Sequence, residues 1–338
     1  MQLDSFSADG FTMHSLTAAF NKLPYKPGRL GQLGLFREQG VRTTSIDVES
    51  QDGRLSLIQT SPRGGVAADP LASNKRKLRT FKVYHFERDS KVYADEVQNI
   101  RAFGSETELQ QLEALVNERM AELIPMHEAT LEYHRVNAIQ GILLDASGST
   151  LLNLFTEFGV SQQTQDFAFT TSTTEVRNKI VAAKRLSEAV LGGLMVNGYR
   201  ALCSPEWFDA LVAHATVKDA YKYQQGQNLA TDLRGGFTFG GVTFEEYRGS
   251  VTIPDGAGGG TATFIPANTA WMVPEADIFI TRFAPADYEE TVNTLGLPRY
   301  AKQAVDPSGL NKFRTINTQS NAISLCLRPD AVIKLTKS

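Results

Sequence analysis

The chain has 338 residues, enough for two domains and a substantial core. Its formal net charge of −3 leaves no basic excess of the kind that general nucleic-acid wrapping needs. Its two cysteines, Cys203 and Cys326, lie far apart with no CxxC spacing, so they form no disulfide framework and fit a reducing compartment. No apolar run approaches the roughly 20 residues of a membrane helix, and Asp4 and Asp9 occupy the place where a signal peptide carries positive charge. The chain is therefore expected to be soluble and intracellular when made.

Residues 1–40 are mixed, broken by Pro24 and Pro27 and loosened by Gly28, Gly31 and Gly34. They are expected to be an arm lying on something else. From Val41 to Thr60 the pattern is a β-hairpin, with Ile46 and Val48 alternating against charged neighbours and Asp52-Gly53 supplying the turn. The loop that follows carries Arg63, Lys75, Arg76, Lys77, Arg79 and Lys82 against the single acid Asp69, a net charge of +5. Lys82 to Tyr93 (KVYHFERDSKVY) has the β-branched and aromatic content of a returning strand.

A long helix is expected from Ser105 to about Ala138. Ser105 and Glu108 have capping-box spacing, and Leu109, Leu112, Val116, Met120, Leu123, His127 and Leu131 recur at steps of three and four. At about 1.5 Å per residue it spans roughly 50 Å. It carries Glu106, Glu108, Glu113, Glu118, Glu122, Glu128 and Glu132 against Arg119 and Arg135, a net charge of −5. Pro125 is expected to kink the helix without ending it, because the apolar stripe continues past it.

Beyond Leu151 the pattern is mixed α/β. A helix is expected to start at Ser172 with Glu175 three residues on and to stop at Gly192-Gly193. Another opens at Ser204-Pro205, with Trp207, Phe208, Leu211 and Val212 facing inward. Strands are expected at 236–247, 261–265, 270–273 and 277–283. The segment from Ile323 to Leu335 is expected to return to the sheet begun near Val41.

No constellation supports catalysis, and no cofactor or metal residue is assigned. His127 and His134 are two helical turns apart, too far to share one metal as HExxH histidines do, and fit one stripe histidine and one surface histidine. Asp255 to Gly260 (DGAGGG) lacks the GK[ST] ending of a phosphate loop and fits a hairpin tip. Cys203 and His214 are separated by about three turns, so Cys203 is expected to be a small core residue.

With these residues in hand, the chain resembles the lambda-like phage major capsid protein E family, which has the Hong Kong-97-type capsid fold. The matching segments are YKPGRLGQLGLF with GVRTTSIDVE (Tyr25 to Glu49), LSLIQTSPRG (Leu55 to Gly64), FTFGGVTFEEYRG (Phe237 to Gly249), the run from Ala301, and SNAISLCLRPDAVIKL (Ser320 to Leu335). The resemblance implies an α+β fold with an N-terminal arm (1–40) and an extended β loop (41–97). It also implies a peripheral domain with a spine helix and C-terminal strand (98–145 and 305–338), and an axial domain (146–304). It implies a protein that assembles with itself as hexamers and pentamers, in a procapsid that expands into a head enclosing double-stranded DNA without sequence-specific binding. Such a chain is assembled in the host cytoplasm and resides in the virion. About forty residues precede the hairpin, so scaffolding is expected from a separate protein; a decoration protein and a portal are further expected partners, and a membrane is not.

The opposite charges of loop and helix suggest that the basic loop of one subunit lies across the spine helix of its neighbour. Pro125, Gly141 and Gly148 are the hinge candidates for expansion. The competing readings are a cellular nanocompartment shell of the same fold, a ring-forming tail or connector protein, and a hydrolase using Cys203 or the helix histidines.

Overall fold

The structure, a computed structural model, describes residues 12–23, 28–50, 77–93, 96, 108–192, 194–222, 233–253 and 259–338. Two short helices come first, α1 (Met13–Lys22), capped by Thr12 Oγ1 on the Ser15 amide at 3.3 Å, and α2 (Arg29–Leu33), closed by Gly34 in the left-handed region. Strands β1 (Arg37–Gly40), β2 (Ser45–Ser50), β3 (Lys77–Lys82) and β4 (Tyr84–Tyr93) precede α3 (Glu108–Gln140), a 33-residue helix that runs through Pro125 as expected. Then come β5 (Ile142–Leu144), β6 (Thr150–Asn153), α4 (Leu154–Phe158), β7 (Gln163–Asp166) and α5 (Val176–Leu191).

Helix α5 begins four residues later than Ser172. The Thr174 hydroxyl donates to the Ala168 carbonyl at 3.0 Å and the Thr174 amide to the Thr171 carbonyl at 3.0 Å, which holds this stretch in a turn. After β8 (Tyr199–Cys203), α6 (Pro205–Ala213) opens as its sequence dictates, with Ser204 Oγ accepting from the Trp207 amide and Pro205 in the first turn. Helix α7 (Ala215–Lys222) follows, then β9 (Phe237–Phe239) and β10 (Val242–Glu246), joined at Gly240-Gly241, both at positive φ. Strands β11 (Ser250–Thr252) and β12 (Thr261–Thr263) pair antiparallel on either side of the glycine-rich segment. Strands β13 (Thr269–Pro274), β14 (Phe279–Phe283), β15 (Tyr300–Val305), β16 (Phe313–Cys326) and β17 (Ile333–Thr336) complete the chain.

The chain divides into two compact units: Met1–Asp47, Thr80–Glu132 and Ile280–Ser324 form the first, and Val48–Arg79, Tyr133–Phe279 and Leu325–Ser338 the second. In the first unit the sheet order is β1-β14-β16-β15, and β4 pairs with β16 over ten residues, from Tyr84↔Ala322 to Tyr93↔Phe313. Its core joins Leu16 and Phe20 of α1 to Val116, Met120, Leu123 and Ile124 of α3 and to Val92, Ala301 and Ile316 of the sheet. In the second unit six strands are ordered β7-β17-β13-β8-β10-β9, over a core centred on Phe167, Trp207, Phe237 and Phe244. Trp207 is fully buried, stacked on Phe244 at 5.8 Å and meeting Phe167 edge-on at 5.2 Å.

Several expectations change. The first helix of the expected arm is part of its own unit's core. The described partner of β2 is β3; residues 51–60, with the expected turn and return strand of the hairpin, lie outside the described residues. The Lys82–Tyr93 strand exists, but its partner is β16. The closing segment is divided: β16 shares the sheet of β1, whereas β17, after Pro329, pairs with β13 and β7 in the other sheet. Residues 280–304 cluster with the first part of α3, and 325–338 with the second unit, bounds that differ from the domain limits read from sequence.

Candidate assembly surface

The first part of the acidic helix, up to Glu132, is partly neutralised inside the first unit. Glu128 Oε1 accepts from Arg299 at 3.0 Å, an ion pair whose arginine is buried. Glu132 is buried as well; its Oε1 accepts the Leu30 amide at 2.7 Å, and Gly28 passes so close that a Cβ there would lie 2.3 Å from the carboxyl carbon. Arg119 bridges Glu122 at 3.4 Å and Glu96 at 3.2 Å. Glu118 and Glu122 are exposed. Glu106 lies outside the described residues, and the side chains of Glu108 and Glu113 are not described.

On the basic side, Arg63, Lys75 and Arg76 lie outside the described residues, and Lys77 is described in its backbone only, as the first residue of β3. Arg79 is engaged within its own unit. Its guanidinium donates to the Glu157 carbonyl at 2.6 Å and lies 5.0 Å from the Phe158 ring centre, at the C-terminal end of α4, where a cation meets the negative end of the helix dipole. Lys82 is exposed.

Of the hinge candidates, Pro125 is exposed within α3. Gly141 closes α3 at φ +81°, its amide bonding the Ala138 carbonyl, and a Cβ there would stand 2.4 Å from the Phe155 ring. Gly148, at φ +77°, makes the turn between β5 and β6, with its amide on the Asp145 carbonyl. Both glycines thus have a local conformational role.

One exposed feature was not anticipated. Val292, Leu295 and Leu297, at 67%, 58% and 42% exposure, project from one short loop of the first unit. Its backbone is fixed: the Gly296 amide donates to the Val41 carbonyl and the Leu297 amide to Tyr300 Oη, both at 2.8 Å, and a Cβ on Gly296 would lie 2.0 Å from the Phe283 carbonyl oxygen. The sequence VNTLGLP has neither helical nor strand periodicity, so nothing in it marks these side chains as exposed.

The nucleophile and histidine candidates have structural surroundings. His127 bonds Thr318 Oγ1 at 3.0 Å, and burial, with Arg299 nearby, lowers its pKa to about 4. His134, expected at the surface, is buried too, and burial lowers its pKa to about 4. Cys203 is fully buried, and burial pushes its thiol pKa well up, which disfavours the thiolate. Among the described residues no group of three His, Cys, Asp or Glu side chains could hold a metal ion, and no helix is long and apolar enough to cross a membrane.

Residues 12–337 match the sequence model of the family described as phage major capsid protein E. The chain belongs to that family. Two relatives agree with that membership. The major capsid protein of Pseudomonas phage KPP10 is 32% identical over 347 residues, covering 96% of this chain and 97% of the relative. That of Salmonella phage Felix O1 is 23% identical over 322 residues, covering 86% and 87%. Among solved structures, one assigned as a prophage capsid protein of E. coli CFT073 superposes with a TM-score of 0.60 at 14% identity, covering 97% of this chain and 99% of the other. The fold of this family member is the α+β Hong Kong-97-type capsid fold.

Proposed function

We infer that the chain is the major capsid protein of a tailed bacteriophage, which assembles with copies of itself into the icosahedral shell of the virion. The observation that carries this reading is the family match from residue 12 to residue 337. Relatives named as phage major capsid proteins support it.

At finer detail, the copies form hexamers and pentamers, first in a procapsid and then in an expanded head around double-stranded DNA. A scaffolding protein, a decoration protein and a portal are its other partners in this reading. The compact unit holding the first part of α3 serves as the peripheral domain, and the unit built on the six-stranded sheet as the axial one. Pro125, Gly141 and Gly148 remain the hinge candidates.

The +5 segment of one copy lies across α3 of the next. Arg79, Glu128 and Glu132 already have partners within their own units. The contact therefore runs through Arg63, Lys75, Arg76, Lys77 and Lys82 on one copy and Glu106, Glu108, Glu113 and Glu118 on the other, while Glu122 is already bridged to Arg119 in its own copy. Exposed ion pairs contribute about 0–1 kcal/mol each, so charge sets register and approach while apolar burial and repeated contacts supply strength. The test is the triple variant Lys75→Glu, Arg76→Glu, Lys77→Glu. Shell assembly is expected to fail while the circular dichroism and melting temperature of the subunit stay unchanged; normal particles would overturn the contact.

A further inference from the structure

Strand β15 lies at the end of the five-stranded sheet, and among the described residues no strand pairs with its outer side. An open strand edge presents backbone N–H and C=O groups that template pairing with another chain, and proteins commonly cover such edges with a helix. Helix α1 lies on this one through polar side chains. Thr17 Oγ1 accepts from the Ala301 amide at 3.1 Å and donates to the Ala301 carbonyl at 3.1 Å. One turn later, Asn21 Nδ2 donates to the Arg299 carbonyl at 2.9 Å.

The match is geometric. Residues four apart on a helix share a face, and residues two apart on a strand send their backbone groups to the same edge. Thr17 and Asn21 therefore meet Ala301 and Arg299 in step. Phe20, fully buried between them in sequence, anchors the helix below the Arg299 guanidinium, 5.7 Å from the ring centre, with His127 edge-on at 6.1 Å. A helix serving only to fill the core would place apolar residues at 17 and 21. Along the strand Ala301 is buried, Gln303 partly exposed, and Val305 49% exposed.

We propose that α1 is a strap that closes the outer edge of β15 and so keeps this sheet from pairing with a strand of a second copy of the same chain. A capsid subunit reaches high local concentrations of its own copies during assembly, so an uncovered edge would compete with the contacts that close a shell. The strap removes that competitor.

The test uses the full-length chain at concentrations where the wild type stays unassembled. Phe20→Asp lifts the strap; Thr17→Val with Asn21→Leu leaves the core anchors Leu16 and Phe20 unchanged but removes the edge bonds. Each is made with and without Gln303→Pro. The register Gln303↔Ile316 falls two residues from Ala301↔Thr318, so the Gln303 amide faces the outer edge and proline there blocks that edge without breaking the ladder to β16. The expected result is a shift from the wild-type elution position to larger, open-ended species with an added intermolecular β band in the infrared, reversed by Gln303→Pro. Larger species that persist with the proline would trace to exposed core and overturn the strap. Wild-type elution of both strap variants would overturn it too. Should circular dichroism show Phe20→Asp unfolded, the Thr17→Val/Asn21→Leu pair decides by the same two outcomes.

Discussion

At residue 127 the sequence offers a histidine in an apolar stripe, and the structure shows what the stripe does to it. Burial and the neighbouring Arg299 charge hold His127 neutral, with a pKa of about 4 against an ordinary 6.5. The unfolded chain therefore binds a proton that the folded one refuses over this interval. The stability this represents is present above pH 6.5, is lost as pH falls toward about 4, and changes no further below that. The interval corresponds to about 3 kcal/mol at most. The melting temperature should fall between pH 7 and pH 4.5, and His127→Gln should fall less over the same range; equal falls in both proteins would contradict the assignment. Position 127 was legible as inward-facing. The Glu128–Arg299 pair beside it was not, because the partners stand 171 positions apart and nothing local marks either as paired. The same holds for Arg79, which reads as one more cation of a basic run until Glu157 and Phe158 are brought to it.

Secondary elements were read best where local chemistry alone decides them. The Ser204-Pro205 start of α6 needs only a hydroxyl acceptor and a residue with no amide donor, and both are written in the chain. Helix α3 was legible from its stripe. The start of α5 was not, because a Thr174 bond to a residue six positions earlier holds the preceding turn. Pairing partners of β2, β4 and β16 escaped as well, since alternation identifies a strand but not its neighbour. The clearest element-level prediction concerns α3. Proline inside a helix costs about 3 kcal/mol relative to alanine, through a lost amide donor and a clash with the preceding turn. Pro125 is exposed, so little packing is lost with its ring. Pro125→Ala should raise the melting temperature of the subunit, as followed by circular dichroism at 222 nm; an unchanged or lower value would mean that the ring stabilises a bend the unit requires.

For the whole molecule, the α+β capsid plan was legible from ordered short matches across the chain, and membership in the capsid family follows from residues 12–337. The bounds of the compact units were harder to read, because residues 280–304 join helix residues far earlier in the chain, and 325–338 join the other unit. Such long-range closures leave no periodic mark. The charge asymmetry between the 61–82 segment and α3 was legible and directs attention outward, to neighbouring copies. Cryo-electron microscopy of the assembled particle tests this most directly. The result expected is a closed icosahedral shell of five- and six-membered rings of this chain, with residues 61–76 of one copy over the Glu108–Gln140 helix of the next. A particle in which that segment folds back on the helix of its own copy would contradict the proposed contact, and a chain found only in a tail or connector ring would contradict the function.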